Sequence, residues 1–217
     1  MPGAKERNSS IMADIERPQI NLITPPAFDP EEFAPKLASV LDATEIACLR
    51  LSLATRDQDA QARAADACRE IAHARDVAIV IDTHLLLVER LGLDGVHLPD
   101  GARNVRKARK DLGADAIVGA FCGTTRHEGL AAGEAGADYV AFGPVGTTAL
   151  GTGTQAEQGL FEWWSEMIEV PVIAEGALTP ELIAALAPMT DFFAVGEEIW
   201  AAEDPVSALK QLLAPIL

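Results

Sequence analysis

The sequence predicts an α/β protein with one domain, a (β/α)8 barrel, and three observations lead there. From Ile20 onward, short runs rich in Val and Ile alternate with Ala/Leu/Glu/Arg segments of helical period, with Gly, Pro, Thr or Asp at the turns. The short runs are apolar throughout, as strands buried on both faces of a helix-covered parallel sheet must be. Eight such units can be counted in the chain, and about 200 residues is the lower end of the length such a barrel requires. A doubly wound open sheet is the rival, but its nucleotide-binding versions carry a Gly-rich turn after the first strand. Here that turn reads Thr24-Pro25-Pro26.

In order, the expected strands are Ile20–Thr24, Glu45–Leu51, Ala78–Asp82, Gly95–Leu98, Ala116–Phe121, Tyr139–Gly143, Pro171–Glu175 and Phe192–Gly196. The expected helices are Pro30–Val40, Gln58–Arg75, Thr83–Leu91, Asn104–Leu112, Arg126–Ala135, Gln158–Ile168, Pro180–Ala187 and Asp204–Leu213. Asp29 before Pro30 and Thr179 before Pro180 read as N-caps followed by Pro at the first helical position, while Gly92, Gly113 and Gly136 read as helix stops. Glu31 and Glu32 add acids to a first turn, where the helix dipole favours them.

The 217 residues carry 17 Lys+Arg against 33 Asp+Glu, a formal charge of −16, with 49% hydrophobic and 23% charged residues. This is the balance of a globule that buries a real core. So acidic a chain repels phosphate backbones and anionic lipid, which argues against nucleic-acid and membrane partners and for a small-molecule substrate. Anionic substrates then require local cations or a metal. Cys48, Cys68 and Cys122 have neither CxxC nor zinc spacing and read as reduced core residues. Residues 1–18 lack the apolar core of a signal peptide and are expected to form a flexible leader to a cytoplasmic barrel spanning 19–217, with homo-oligomers allowed.

Barrels of this class place their chemistry at the carboxyl ends of the strands. Asp82 ends the third apolar run, and Asp100 follows the fourth; two such carboxylates could share one Mg²⁺, which takes one or two carboxylates with waters and substrate phosphate. The alternatives are a helix cap for Asp82 and a simple Pro-Asp-Gly turn for Asp100. Alternation points Arg50 inward, where it needs either a ligand anion or an ion pair with Asp82. His97 reads as a satisfied barrel histidine or an acid–base group. The Gly/Thr-rich segment Gly143–Thr154, including Thr148, is the longest of the loops and is expected to contact ligand or act as a lid. Loops after strands seven and eight often hold phosphate, yet here they carry Glu175-Gly176 and Glu197-Glu198.

Three segments carry a resemblance. Leu93-Asp94-Gly95-Val96-His97-Leu98, Ala137-Asp138-Tyr139 through Gly143-Pro144-Val145, and Pro171-Val172-Ile173-Ala174-Glu175-Gly176 resemble, in this order, segments of the thiamine phosphate synthase family and its TenI relatives. The resemblance covers the chain from Gln19 and implies a (β/α)8 barrel. It also implies a transferase that joins a hydroxymethylpyrimidine pyrophosphate to a thiazole phosphate, with Mg²⁺-assisted departure of pyrophosphate. It further implies catalytic roles for Arg50 and Asp82, metal binding by Asp82 and phosphate contact by Thr148; the family's second metal acid falls at Ala102, so Asp100 can join Asp82 on the metal only if the loop shifts. Gly176, His97, Glu175 and Glu197 are further candidates for substrate contact, and Glu175, Glu197 or His97 could instead supply acid–base groups. Other family positions differ: the glutamine and lysine flanking the arginine are Cys48 and Ser52, the lysine of the long loop is Gly151, and the histidine that serves TenI tautomerases is Gly123. The five lysines, Lys5, Lys36, Lys107, Lys110 and Lys210, all fall in the leader or in expected helices. Two alternatives therefore stay open: a tautomerase or hydrolase acting on an unphosphorylated heterocycle, and a barrel that binds without catalysis.

Overall fold

The computed structural model describes residues 17–148 and 154–217; the expected leader, apart from Arg17 and Pro18, and residues 149–153 of the long loop lie outside the described residues. Among the described residues, eight parallel strands close in sequence order into a barrel. They are β1 (Gln19–Ile23), β2 (Cys48–Leu51), β3 (Ala78–Asp82), β4 (Gly95–Leu98), β5 (Ile117–Phe121), β6 (Tyr139–Phe142), β7 (Val172–Glu175) and β8 (Phe192–Val195). Around them lie α1 (Pro30–Ala43), α2 (Gln58–His73), α3 (Leu85–Leu91), α4 (Val105–Leu112), α5 (Arg126–Glu134), α6 (Gln158–Met167), α7 (Pro180–Leu186), α8 (Glu197–Trp200) and α9 (Pro205–Leu213).

The capping chemistry follows from the residues at each junction. Asp29 accepts from the amides of Glu31 and Glu32, and Thr179 from that of Leu182. Gly92 closes α3 in the left-handed conformation. Two of the boundaries that depart from expectation have a visible backbone cause. Helix α3 starts at Leu85 because Thr83 sits at φ 67°, outside helical space. A 3-10 turn over Gly101–Asn104 precedes α4. Helix α8 was not expected, since four residues are too few to show a helical period.

Strand alternation divides the core in two. Leu22, Leu49, Ile79, Val96, Val118, Val140, Val172 and Val195 face outward into a continuous shell packed beneath the helices. Tyr139, Ala141, Ile173 and Ala194, with Ile23, Ile117, Phe121 and Phe192 against them, form a smaller cluster inside the barrel. The aromatic group Phe161 and Trp164 belongs to the outer shell, and Trp164 donates its indole N–H to the Val170 carbonyl at 2.7 Å.

At the amino end of the barrel one device repeats. The residue just before each even-numbered strand donates its N–H to the preceding odd strand: Ala47 to Ile20, Asp94 to Ile79, Asp138 to Val118 and Asp191 to Val172. In the three cases where that residue is Asp, its carboxylate also accepts the N–H of the same partner, each at 2.7 Å. These two-point clamps satisfy strand-end amides that the ladder leaves open, and they explain the recurring Asp in Leu93-Asp94-Gly95, Ala137-Asp138-Tyr139 and Thr190-Asp191-Phe192. Asp191→Ala is expected to cost about 1–3 kcal/mol because the Val172 amide loses a charged acceptor. Asp191→Asn should recover part of that, both read from the urea midpoint at unchanged slope.

Candidate active site

The inner face at the carboxyl end is set by counting in twos along each strand. Cys48 and Arg50 on β2, Val80 and Asp82 on β3, Gly95 and His97 on β4, Gly119 and Phe121 on β5, Tyr139 and Ala141 on β6, and Ile173 and Glu175 on β7 share that face. Register pairs Arg50 with Val80 and Asp82 with His97. Gly119 lies opposite Tyr139, and a Cβ there would collide with the tyrosine ring. The missing side chain is what admits Tyr139 to the barrel interior.

Arg50 organises the polar groups. Its Nη1 donates to Glu175 Oε2 at 2.7 Å and lies 3.1 Å from His97 Nε2; its Nε lies 3.8 Å from Asp82 Oδ1. Side-chain exposure is 13% for Arg50 and 12% for Glu175 but 25% for Asp82, so the pair with Glu175 lies deeper in the interior and Asp82 nearer the mouth. Burial works against the guanidinium charge, but Glu175 and then Asp82 more than offset it and hold Arg50 protonated. An arginine can only donate, so His97 Nε2 accepts and the ring proton sits on Nδ1, which donates to the Tyr139 hydroxyl at 3.0 Å. Burial, then the Arg50 charge, hold His97 well below its ordinary range, and burial pushes the Tyr139 phenol well above its own. His97 is thus a neutral histidine locked between a cation and a phenol.

Asp82 is the exception in this satisfied network. Its Oδ1 and the Nε of Arg50 are both buried without a hydrogen-bond partner, and 3.8 Å is too long for one between them. Burial raises the Asp82 carboxyl above the usual range, with Arg50 and Ser52 pulling the other way. Nor does Asp82 cap a helix: the residue before α3 is His84, which makes no side-chain cap bond and instead meets Gln61 at 2.7 Å. An orphaned carboxylate oxygen fits a hard cation that is completed by waters and phosphate. Asp100 is exposed, its Oδ2 accepting from Asn104 Nδ2 at 2.7 Å, and no group of three or more His, Cys, Asp or Glu among the described residues could hold a metal. Among the described residues Asp82 alone offers such an oxygen, and Asp100 is engaged elsewhere.

The loops above these groups tie one strand end to the next. Val145 and Gly146 donate to the carbonyls of Glu175 and Gly176, fastening the loop after β6 to that after β7. Gly176 has φ 89°, and a Cβ there would press within 2.9 Å of Pro144, so the position requires glycine. Ala177 follows at φ 55°, also left-handed. Thr148 is the last described residue before 149–153, and the remainder of the expected lid lies outside the described residues. Glu197 is exposed at the start of α8. Its neighbour Glu198 points back into the loops, with Oε1 accepting from the Leu178 amide at 3.0 Å and Oε2 from that of Gly196 at 2.8 Å.

Of the residues singled out in the sequence, Arg50, His97 and Glu175 therefore meet directly, and Asp82 stands beside them. Thr148, Gly176 and Glu197 belong to the mouth. Tyr139 was missed as a site residue, although the period-two count along β6 places it inward; Glu198 was placed at the mouth only as one of the acids after strand eight, with no role of its own. The sequence held no signal for the amides that Glu198 takes.

Comparison with known proteins gives a consistent result. A family model described as thiamine monophosphate synthase matches residues 20–199. The thiamine-phosphate synthase of Rhodospirillum centenum is 45% identical over 84% of this chain and 89% of its own length. That of Erythrobacter litoralis is 40% identical over 68% of this chain and 71% of its own. Among solved structures, the thiamine phosphate pyrophosphorylase of Pyrococcus furiosus superposes with a TM-score of 0.79 at 20% identity, covering 91% of this chain and 95% of that one, which bears on the fold. With strand-end arginine and aspartate in place and relatives this similar along most of its length, the chain belongs to the thiamine monophosphate synthase family.

Proposed function

We propose that this protein couples a hydroxymethylpyrimidine pyrophosphate to a thiazole phosphate, with Arg50 and Asp82 at the reacting centre. The observation that carries this is the unmet pair at the mouth, Arg50 Nε and Asp82 Oδ1, each buried with no partner. An unmet donor on a cation and an unmet carboxylate oxygen suit a site that receives phosphate oxygens and a divalent ion together. The names of the relatives support the same reading.

The reaction asks little acid–base chemistry of the protein. The thiazole nitrogen supplies its lone pair to the pyrimidine methylene, the methylene–oxygen bond breaks, and pyrophosphate leaves with the bonding electrons. No proton need move. What the site must supply is stabilisation of the charge that grows on the leaving group. Arg50 is fixed for this by Glu175 and by the Nε2 lone pair of His97, which hold its Nη1 and leave Nε without a partner on the side of Asp82. Asp82 would hold Mg²⁺, which when bound neutralises part of the pyrophosphate charge; Asp100 would have to exchange its Asn104 bond to join it. Thr148 and Gly176 are assigned to substrate contact at the rim, with Glu197 facing solvent beside them. His97 and Glu175 act as positioning residues. A tautomerase reading is less well supported, because Gly123 stands where that branch of the family carries its acid–base histidine.

Three buried, free cysteines suit a reducing compartment, in line with a cytoplasmic enzyme. Their thiols are pushed up to about 12 by burial, so they are inert toward substrate. Among the described residues no helix is long and apolar enough to cross a membrane.

Incubating the protein with both phosphorylated precursors and Mg²⁺ should yield thiamine phosphate; none above the protein-free background would sink the reading. Arg50→Lys is expected to lower kcat by about 10²-fold, the scale of losing one preorganised donor to a developing anion. A chelator should abolish turnover reversibly if Asp82 carries a metal.

His97 has a stability consequence. Its pKa is depressed in the folded protein but ordinary, about 6.5, in the unfolded chain. Below pH ~6.5 the unfolded chain binds a proton that the folded protein refuses, so stability falls as pH falls. In His97→Asn the stability curve between pH ~6.5 and ~5 should flatten by up to about 1.4 kcal/mol per pH unit, one proton's worth. An unchanged slope in chemical denaturation would contradict a neutral His97.

A further inference from the structure

In barrels of this class a substrate phosphate commonly rests on the backbone amides of the loops after β7 and β8, at the start of a short extra helix. This chain has each of those parts: the loop from Gly176 to Thr179, the turn at Gly196, and the short helix α8. Yet two of the amides there are already engaged. Both oxygens of Glu198 are used, one on the Leu178 N–H at 3.0 Å and the other on the Gly196 N–H at 2.8 Å, so one carboxylate bridges two loops 20 residues apart. Two oxygens on one anionic centre, taking two converging amides, is the arrangement a bound phosphate would make. Glu197 is adjacent and exposed, and neither glutamate has a salt-bridge partner among the described residues. A phosphate entering this place must displace Glu198 or lie against it.

We propose that Glu198 determines acceptor specificity: it stands in for the phosphate of the thiazole, so that a phosphate on the acceptor adds no affinity and the unphosphorylated thiazole alcohol is coupled as readily. This rests on the coupling reaction proposed above and widens its second substrate to the alcohol. The bond changes are the same with either acceptor. A carbon–nitrogen bond forms at the thiazole nitrogen, the methylene–oxygen bond breaks, and pyrophosphate departs with the electron pair; with the alcohol, the product is a thiazolium bearing a free hydroxyl. The donor is assigned to other groups, its pyrophosphate to Arg50 and Asp82 at the ends of β2 and β3.

The test is the ratio of kcat/KM for the thiazole phosphate to that for the thiazole alcohol. In the unmodified protein the ratio should lie within about threefold of one; in Glu198→Ala it should rise at least about tenfold, chiefly through a lower KM for the phosphorylated acceptor. A preference for the phosphorylated acceptor of about tenfold or more in the unmodified protein, or an unchanged ratio in a folded variant, would overturn the proposal. A second arm needs no turnover: inorganic phosphate, against chloride at matched ionic strength, should raise the Tm of Glu198→Ala but not that of the parent. Equal shifts in both would also overturn it. Should the alanine variant fail to fold, Glu198→Ser serves the same comparison and the parent's own ratio still decides. If neither acceptor yields product, the coupling reaction itself fails, and the phosphate arm alone then judges Glu198.

Discussion

The site depends on one buried guanidinium. Arg50 has left water inside a barrel whose other inner positions are mostly apolar or small, and a desolvated cation persists there only if carboxylates face it. Glu175 meets that requirement at 2.7 Å from β7, five strands later in the chain. Removing either partner would strand the other, at a cost of roughly 3–5 kcal/mol. The constraint propagates: the Nη1 shared between Glu175 and His97 fixes the histidine's tautomer, the tautomer presents a proton to Tyr139, and the tyrosine ring requires Gly119 opposite it. Four strands are thereby tied through polar contacts that tolerate little substitution.

The two ends of the barrel use acids for opposite purposes. At the amino end Asp94, Asp138 and Asp191 grip strand amides and stabilise the fold, with His73 and Arg109 adding partners to the first two. At the carboxyl end Glu175 and Asp82 surround a cation, and Glu198 takes amides that such barrels commonly keep for ligands. Stability and chemistry are thus separated along the barrel axis, so substitutions at one end leave the other largely untouched.

The fold was legible because its signals are local. Strand runs and helix periods recur, and caps at Asp29 and Thr179 stand where Ser/Thr/Asp-Pro signals put them. The inward direction of Arg50 followed from alternation alone. Its partner did not: Asp82 lies on the adjacent strand and was the nearer guess, whereas Glu175 reaches Arg50 across the interior, a contact that only closure of the barrel creates. Glu198 was opaque for a related reason. Glu197 and Glu198 are chemically identical in sequence, and a 100° step around a one-turn helix sends one to solvent and the other into the loops. Residues 149–153 carry family positions of the long loop, and for them the comparison of sequence with structure ends at Thr148.

The surplus of acid also looks different once each carboxylate is placed. A formal charge of −16 with no lysine at a strand end suggests a mouth hostile to any pyrophosphate. But Glu175 is neutralised by Arg50, Glu198 is spread over two amide donors, and Asp100 is bonded to Asn104, which leaves Asp82 as the carboxylate with an unmet oxygen beside an unmet guanidinium nitrogen. A cation bound at Asp82 would turn that oxygen from a source of repulsion into an anchor for the leaving group. There is no such relief near α8, where Glu198 has no salt-bridge partner among the described residues and Glu197 stands exposed. On the proposed reading, the two anionic substrates of the family meet unequal receptions: the pyrophosphate finds a cation and a metal ligand, and the acceptor's phosphate finds a carboxylate in its place.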